Sequence, residues 1–349
     1  MMAADTPMHA FANQVHYCTA NDAPITACVC GALAAAIDRS TSTGRAVLDW
    51  PGHALADALP LRLAGGVHAL WRSGAVPALD ALYRGEDAEP SHWAEPMRQV
   101  LAEHDAALLP WLDGPPQTNE AGRSASFIAG LHWFAAQGLP PRFEILEIGA
   151  SAGMNLLLDR YRYDVGGVPS GPENSPVTIK PEWRGAPPPD TVIAFHAIRG
   201  CDIAPVDVTD DVAAEKLMAY IWPDAPQRFE RMKAGIAMFR ADPPVLEAAD
   251  AADWIERALA EPQQGGVTRV LVHSIMWQYL PRETQGRIER AMETSGMAAS
   301  DERPLAWLAL EADRSLLGHG LTARYWPGGG ARTLLATAHA HGAWVEWRG

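Results

Sequence analysis

The sequence predicts an α/β protein in which a mainly parallel sheet with an antiparallel end follows an N-terminal helical domain. In roughly the first 118 residues, apolar side chains recur at helical spacing. From Phe143 onward, short apolar runs alternate with amphipathic segments, a pattern typical of a parallel sheet wound with helices. Residues 321–347 are short apolar runs between glycine-rich turns, which indicates antiparallel pairing. We therefore expect two domains, 1–118 and 119–349.

The first domain is expected to consist of helices. An alanine-rich segment, an amphipathic segment and a segment with regularly spaced apolar residues predict helices over 24–37, 61–71 and 93–109. Proline and glycine clusters separate these segments. We interpret this helical domain as a lid.

The second domain begins with a helix that we expect to end near Gln137 and continues as alternating elements. The apolar runs predict strands over 143–148, 191–198, 244–248, 268–275 and 305–310. The amphipathic segments predict helices over 152–160, 212–221, 227–239, 251–260 and 282–294. Residues 161–190 are rich in proline and glycine and interrupt the alternation, so we expect an inserted loop or hairpin there.

Composition excludes several classes of function. The net charge of −14 argues against a nucleic-acid partner, because no general basic surface is present to neutralise phosphates. The first residues lack the basic and apolar regions of a signal peptide, and no apolar run approaches the roughly 18 residues of a membrane span. We expect a cytoplasmic protein with no membrane partner. We also expect no metal site, because the pair His339 and His341 has no evident third ligand.

The most informative segment is a strand that runs into a glycine-rich turn, Phe143-Glu-Ile-Leu-Glu-Ile-Gly-Ala-Ser-Ala-Gly-Met-Asn155. Gly149 and Gly153 allow a sharp bend and a close approach by a ligand. A helix beginning after the turn would offer free N–H groups. The segment is typical of a cofactor-binding corner of a parallel sheet. It also has the pattern G-x-S-x-G, centred on Ser151, that marks the nucleophile of serine hydrolases.

Acidic residues follow the next two predicted strands. Asp202 comes after the second strand, and Asp250 with Ala251 comes after the third. Since parallel strands end at one edge of the sheet, Glu147, Asp202 and Asp250 are expected to lie along the edge where ligands bind in such folds.

Two further groups of polar residues are candidates for a site. Gln117, Asn119, Glu120 and Arg123 form a cluster before the first strand. Thr118 or Asn119 acting as a helix N-cap would explain part of this cluster. The remaining side chains could face a ligand.

The end of the fourth strand carries His273 and Ser274, with Tyr279 just beyond it. A histidine at this place could act as a general base, or it could be a hydrogen-bonded core residue. Tyr279 could close a pocket. Tyr161, at the start of the insertion, could cover a ligand or simply pack in the core.

Several blocks together resemble a known bacterial group. These blocks are Gln117-Thr-Asn-Glu…Arg123, Leu146-Glu-Ile-Gly-Ala-Ser-Ala-Gly-Met-Asn-Leu156, Arg199-Gly-Cys-Asp-Ile-Ala-Pro205, His273-Ser-Ile-Met-Trp-Gln-Tyr279 and Trp326-Pro-Gly-Gly. They are similar to domain-of-unknown-function family 2332, which resembles the Rossmann-like class I S-adenosylmethionine-dependent methyltransferases. The similarity covers nearly the whole chain.

The resemblance implies a fold, a cofactor and a set of residue roles. S-adenosylmethionine would be held by the residues of the turn and of the next two strand ends, namely Glu147, Gly149, Ser151, Gly153, Asn155, Asp202, Asp250 and Ala251. His273, Glu120 and Tyr279 would act on a small-molecule or protein acceptor. Gln117, Asn119, Arg123, Tyr161 and Ser274 would bind that acceptor. Serine at the middle glycine of the turn and the long insertion depart from the usual methyltransferase pattern.

Two other functions stay open. A serine hydrolase would use Ser151 with His273, His339 or His341 as base and Asp250 or Glu311 as orienting acid. Against it, Glu147 would have no role in acyl transfer, and no oxyanion loop of the His-Gly-Gly type precedes the turn. A non-catalytic protein would bind a nucleotide-like ligand and transfer nothing.

Overall fold

The computed structural model describes residues 6–117, 119–313, 315–316 and 318–349. Thr118, one of the two predicted N-caps, and the first five residues of the chain lie outside these ranges. The chain divides into two compact units, one made of Met1–Thr118 with Asp210–Glu230 and the other of Asn119–Thr209 with Arg231–Gly349. The segment 210–230, which the sequence analysis assigned to the second domain, therefore belongs to the first unit. Among the described residues, no helix has the length and apolar character needed to cross a membrane.

Twelve α-helices occur in the described part of the chain. They are α1 Pro7–Ala20, α2 Pro24–Ala36, α3 Ser42–Leu48, α4 Leu59–Arg72, α5 Asp80–Tyr83, α6 Pro90–Glu103, α7 Asp105–Leu108, α8 Ser124–Ala136, α9 Asp211–Ala219, α10 Pro226–Ala241, α11 Ala251–Ala260 and α12 Arg282–Met297. The predicted helix over 93–109 is in fact two, because the chain turns at His104 between α6 and α7.

The core of the first unit is built around α2. This helix is apolar on nearly all sides, and most of its residues are buried. Helix α4 adds Leu63 and Val67, and α6 adds Met97, each fully buried in the same cluster. A helix with so wide an apolar surface is stable only when other helices cover it, and this explains why the alanine-rich segment lies at the centre of the unit.

The N-terminus of α2 is capped from far along the chain. Its own N-cap residue, Ala23, offers no side-chain acceptor. Instead the carboxylate of Asp224, in the loop after α9, accepts the backbone N–H groups of Ile25 and Thr26 at 2.7 and 2.9 Å. It also accepts the Thr26 hydroxyl at 2.5 Å. A negative charge on otherwise unpaired N–H groups stabilises the start of a helix, so residues 210–230 complete the first unit.

We expect Asp224→Ala to lower the free energy of unfolding by about 1–2 kcal/mol, because it leaves two N–H groups of α2 without an acceptor. Thermal unfolding followed by circular dichroism measures the change. Asp113→Ala, which removes an exposed carboxylate of the same unit, should leave the midpoint nearly unchanged. Equal effects of the two substitutions would contradict the assignment of Asp224 as the cap.

Twelve strands occur among the described residues of the second unit. They are β1 Arg142–Ile148, β2 Arg162–Val165, β3 Val168–Ser170, β4 Thr178–Ile179, β5 Glu182–Arg184, β6 Ala194–Asp202, β7 Val245–Ala248, β8 Thr268–Ser274, β9 Leu305–Ala312, β10 His319–Trp326, β11 Thr333–Ala338 and β12 Trp344–Trp347. Nine of them form one sheet in the order β5-β12-β11-β10-β9-β8-β1-β6-β7.

The sheet is mostly parallel with an antiparallel end, as the sequence predicts. β7, β6, β1, β8 and β9 pair in parallel, and β9 to β12 pair in antiparallel. β1 is the middle one of the five parallel strands, and every residue from Phe143 to Ile148 is buried. Numbered by their order in the chain, the five parallel strands have the order 3-2-1-4-5, so the winding direction reverses beside β1.

The two faces of β1 have different neighbours. Leu146 and Ile148 pack in a cluster with residues of α11 and α12. Because side chains alternate along a strand, Glu147 points to the opposite face. On that face Gly130 of α8 lies so close to Leu308 that a Cβ would come within 2.7 Å of its side chain.

The insertion at 161–190 is more ordered than a simple loop. β2, β3 and β4 form a separate three-stranded sheet. β5 joins the main sheet and pairs in parallel with β12. The sequence did not predict this pairing, because β5 is three residues long and its partner lies far along the chain.

Candidate functional site

The carboxyl ends of β1 and β8 mark the reversal of the winding direction. After β1 the chain places β6 and β7 on one side, and it then crosses to place β8 and β9 on the other. In open α/β sheets, ligands bind outside the carboxyl ends of the strands at such a reversal. The glycine-rich turn after β1 lies at this place, and we refer to the place as the crevice between β1 and β8.

The turn has an unusual backbone. Gly149, Ser151 and Gly153 all have positive φ angles, of 67°, 53° and 73°. This conformation costs a non-glycine residue about 1–2 kcal/mol, so Ser151 is held in place by its surroundings. The predicted helix over 152–160 is wrong: the turn leads into a 3-10 helix, Met154–Leu157, and then directly into the insertion.

Asp202, at the end of β6, holds the turn. Its Oδ2 accepts the backbone N–H of Ser151 at 2.8 Å, and its Oδ1 accepts that of Ala204 at 2.9 Å. The carbonyl of Ser151 accepts the N–H of Val206 at 3.1 Å. These bonds offset the strain at Ser151. The expectation that the following helix offers free N–H groups is not met at Met154, whose N–H donates to Asn119.

Side chains also cover the two outer glycines. A Cβ on Gly149 would lie 2.7 Å from Met276, and one on Gly153 would lie 3.1 Å from Phe239. Both positions thus need glycine for two reasons, the positive φ and the close neighbour. Protein side chains therefore fill the space beside these glycines, where a close approach by a ligand was expected.

A second strained residue follows β8. Ile275 has a φ of 54°, which is a genuine outlier for a β-branched side chain. Its N–H donates to the carbonyl of Leu310 at 2.9 Å. Ser151 and Ile275 lie just beyond the ends of the two neighbouring strands that flank the crevice. Strained residues held by their surroundings are concentrated at functional sites.

Asn119 clamps the glycine turn. Its Oδ1 accepts the N–H of Met154 at 2.8 Å, and its Nδ2 donates to the carbonyl of Ala150 at 3.3 Å. Its side chain is buried. The capping role considered from the sequence falls instead to Glu120, which precedes the 3-10 helix Ala121–Arg123 and accepts the N–H of Gly122.

Glu147 and Asn155 form a buried pair beneath the turn. Each is only 1% exposed, and Nδ2 of Asn155 donates to Oε1 of Glu147 at 2.9 Å. Glu147 Oε2 and Asn155 Oδ1 have no hydrogen-bond partner among the described residues. Burial raises the pKa of Glu147 to about 7, although Asn155 and the charge of Arg123 act in the opposite direction.

Glu120 and Arg123 face different partners. Oε1 of Glu120 accepts two bonds from the Arg231 guanidinium of α10, at 2.9 and 2.7 Å, and Glu120 is 2% exposed. Nε of Arg123 donates to the carbonyl of Ala340 at 2.7 Å. This network links the start of α8, the middle of α10 and the turn before β12.

Both ring nitrogens of His273 are bonded inside the protein. Nδ1 lies 2.7 Å from Oε1 of Glu311, and Nε2 accepts the indole N–H of Trp307 at 2.9 Å. The second bond requires an unprotonated Nε2, so Nδ1 carries the proton. The ring also stacks on Trp277. In this arrangement neither ring nitrogen of His273 is open to a methyl-acceptor molecule. A role of His273 as a general base therefore stays a prediction.

The other predicted residues lie in four different settings. Asp250 caps α11 by accepting the N–H groups of Ala252 and Asp253, and Ala251 is the first residue of that helix. Tyr161 and Ser274 are buried, and the Tyr161 hydroxyl donates to the carbonyl of Met154 at 2.8 Å. Tyr279 is 73% exposed. Gln117 is half-buried and belongs to the first unit, whereas the other predicted site residues belong to the second.

Comparison with known families gives one match, which covers nearly the whole chain. The family described as "uncharacterized protein conserved in bacteria", domain-of-unknown-function family 2332, matches residues 8–347. The chain belongs to this family. No curated protein and no solved structure matches the chain. Family 2332 therefore provides no described activity, and the function has to be argued from the site.

The structure adds residues to the site that the sequence analysis did not single out. Ile275 and Met276 lie on the β8 side of the crevice, and Arg231 pairs with Glu120. The large side chain of Ile203, next to Asp202, is 77% exposed. No sequence pattern identifies Ile275, because isoleucine is a poor residue for its conformation. Among the described residues no group of three or more His, Cys, Asp or Glu side chains could hold a metal ion.

We expect Asn119→Ala to destabilise the second unit by about 1–3 kcal/mol, because it leaves the buried N–H of Met154 without an acceptor. Thermal unfolding measures this loss, and hydrogen exchange should show faster exchange at Met154. Asn174→Ala, which truncates an exposed asparagine of the same unit, should change stability by less than about 0.5 kcal/mol. Unchanged exchange at Met154 would contradict the clamp.

Proposed function

We propose that the second unit binds S-adenosylmethionine at the crevice between β1 and β8 and transfers its methyl group to a small-molecule or protein acceptor. The observation that carries the proposal is the pair of strained residues, Ser151 and Ile275, beyond the ends of β1 and β8 where the winding reverses. The order 3-2-1-4-5 followed by an antiparallel end supports a Rossmann-like class I methyltransferase fold. Membership of family 2332 is compatible with this fold.

The carboxylate of Asp202 suits the ribose of such a cofactor. Each of its oxygens accepts one backbone N–H, and a carboxylate oxygen accepts about two hydrogen bonds. One acceptor position per oxygen is left for the two hydroxyl groups of a ribose. Asp202 is half-buried, so solvent competes only in part for these positions.

The neighbouring Ile203 supports binding of an apolar ring beside the ribose. A large apolar side chain with most of its surface exposed loses contact with water when a flat ligand covers it. Asp250 lies at the next strand end, where its carboxylate caps α11. An adenosine group placed along the ends of β6 and β7 would contact Asp202, Ile203 and Asp250 in turn.

The protein would contribute mainly alignment to the reaction. Bound S-adenosylmethionine would supply an electrophilic methyl group for attack by an acceptor nucleophile. The chain holds the glycine turn rigid through Asp202 and Asn119, which fixes the donor side of the crevice. Alignment of two reactants can contribute about 7–11 kcal/mol to the lowering of a barrier. Glu120 and Tyr279 remain the predicted acceptor-side residues, together with His273.

The first experiment is isothermal titration of the purified protein with S-adenosylmethionine and S-adenosylhomocysteine. We expect a Kd in the micromolar range, about −8 kcal/mol, and a loss of tenfold or more in Asp202→Asn. Asp301→Asn, which removes one exposed negative charge from the same unit, is the matched control and should bind as the wild type does. Absence of both binding heat and a thermal shift with either ligand would overturn the proposal.

A serine hydrolase is the second candidate, since the positive φ of Ser151 is a feature of nucleophile turns. The pair His273–Glu311 would suit a triad, but Nε2 of His273 accepts the Trp307 indole instead of a serine hydroxyl. We expect a fluorophosphonate probe to leave Ser151 unlabelled, and Ser151→Ala to keep its affinity for S-adenosylmethionine. Labelling at Ser151, detected by mass spectrometry, would favour the hydrolase.

A further inference from the structure

Two buried oxygens beneath the glycine turn lack a donor. Glu147 Oε2 and Asn155 Oδ1 belong to side chains that are each 1% exposed, and neither atom has a partner among the described residues. The other ends of the same two groups are joined by a 2.9 Å bond from Asn155 Nδ2 to Glu147 Oε1. An unsatisfied buried acceptor is costly, and two on one pair of side chains call for a hydrogen-bond donor between them.

One proton satisfies both atoms. A carboxylic acid and a carboxamide form a cyclic pair in which the amide N–H donates to one acid oxygen and the acid O–H donates to the amide oxygen. The first of these bonds is present, and a proton on Oε2 would supply the second. A proton is also the one cation that fits without rearrangement, because neither oxygen is accessible to solvent.

The charges around Glu147 come from several elements. Arg123, in the 3-10 helix before α8, favours the ionised carboxylate, and Asp202 at the end of β6 disfavours it. Arg123 and Asp202 act on the pKa of Glu147 in opposite directions, so burial decides the direction of its shift.

A second glutamate of β1 provides the contrast. Glu144 is 8% exposed, and its Oε2 accepts Nε of Arg269 at 2.8 Å, with Arg199 at 3.6 Å from Oε1. Its negative charge is matched by two guanidinium groups. Glu147, three residues along on the opposite face, is paired with a neutral amide. The same type of side chain thus has guanidinium partners at one position of the strand and an amide partner at the other.

We propose that Glu147 and Asn155 form a cation site that holds a proton in the ligand-free protein and exchanges it for the ammonium group of the bound ligand. The exchange is balanced: the acid proton leaves Oε2 for solvent, and an N–H of the ligand ammonium donates to the resulting carboxylate. Because Oε2 is inaccessible to solvent, the ligand reaches it only after the side chains that cover it move, while the clamped backbone of the turn stays in place. This inference rests on the proposed function, since it names the group of the ligand that the turn binds.

The first test concerns the ligand-free protein and does not depend on any ligand. With glutamate labelled at the side-chain carboxyl carbon, NMR from pH 5 to pH 9 should show a carboxyl that titrates near neutrality. This resonance should be missing in Glu147→Gln and present in Glu144→Gln. If no glutamate titrates between pH 6 and pH 8, the proposed proton is absent and the inference is overturned.

Stability gives an independent readout of the same proton. Because the pKa of Glu147 is raised by folding, the folded state binds the proton more tightly than the unfolded state, and stability falls as the pH rises from about 5 to about 7. Glutamine keeps the cyclic pair without a proton, so Glu147→Gln should gain stability relative to the wild type over this range. Glu144→Gln breaks an ion pair and should be destabilised throughout.

The second test counts protons during ligand binding. Titrations at pH 6 in two buffers of different ionisation enthalpy should show proton release, of up to one proton per ligand, when S-adenosylmethionine or S-adenosylhomocysteine binds. Both ligands carry the ammonium group, whereas 5′-methylthioadenosine carries none and should release no proton. Glu147→Gln should bind the first two ligands at least tenfold more weakly, without proton release.

The outcomes separate the inference from the proposed function. Binding of S-adenosylmethionine without proton release would overturn the exchange and leave the methyltransferase proposal standing. Equal proton release with 5′-methylthioadenosine would overturn the ammonium group as the exchanging cation. If none of the three ligands binds, the proposed function and the exchange are both overturned. The NMR titration would still decide whether Glu147 holds a proton.

Discussion

The bond from the Ser151 N–H to Asp202 is the interaction on which the candidate site depends. It joins the ends of β1 and β6, holds a non-glycine residue in a left-handed conformation and fixes the direction in which the chain leaves the sheet. Asn119 closes the same turn from the side that leads to α8. With both clamps in place the turn is a rigid part of the sheet edge, and the cost of ordering it is met by folding instead of by ligand binding.

The local patterns of the sequence were sufficient for most of the second unit. Strands β1, β6, β7, β8 and β9 and helices α10 to α12 were predicted to within a few residues, because each carries its own apolar periodicity. The same holds for α9, which belongs to the first unit. The antiparallel end followed from glycine turns between short apolar runs. The 3-10 helix after the turn was missed, since Met154 to Leu158 is apolar enough for a helix and the constraint comes from the tyrosines and Asn119 around it.

The remaining features depend on residues that are far apart in the chain. Met276 covers Gly149, Arg231 pairs with Glu120, and Trp307 occupies the nitrogen through which His273 was expected to act. A sequence pattern shows which residues are polar or apolar, but it does not show which distant side chain will use a hydrogen-bonding atom. For this reason the places of Glu147 and Asp202 at the strand ends were easier to predict than the hydrogen-bond partners of His273 and Asp250.

The cap that Asp224 places on α2 has a consequence for the order in which the protein can be made. The two groups that meet there are separated by 199 residues. When the first 118 residues have emerged from the ribosome, every helix of the α2 core is present, but Asp224 has not yet been made. The chain must produce β1 and β6 of the other unit before it reaches Asp224. The N-terminal helices are therefore expected to stay only marginally stable through much of translation. A shortened chain that stops before residue 210 should be prone to proteolysis.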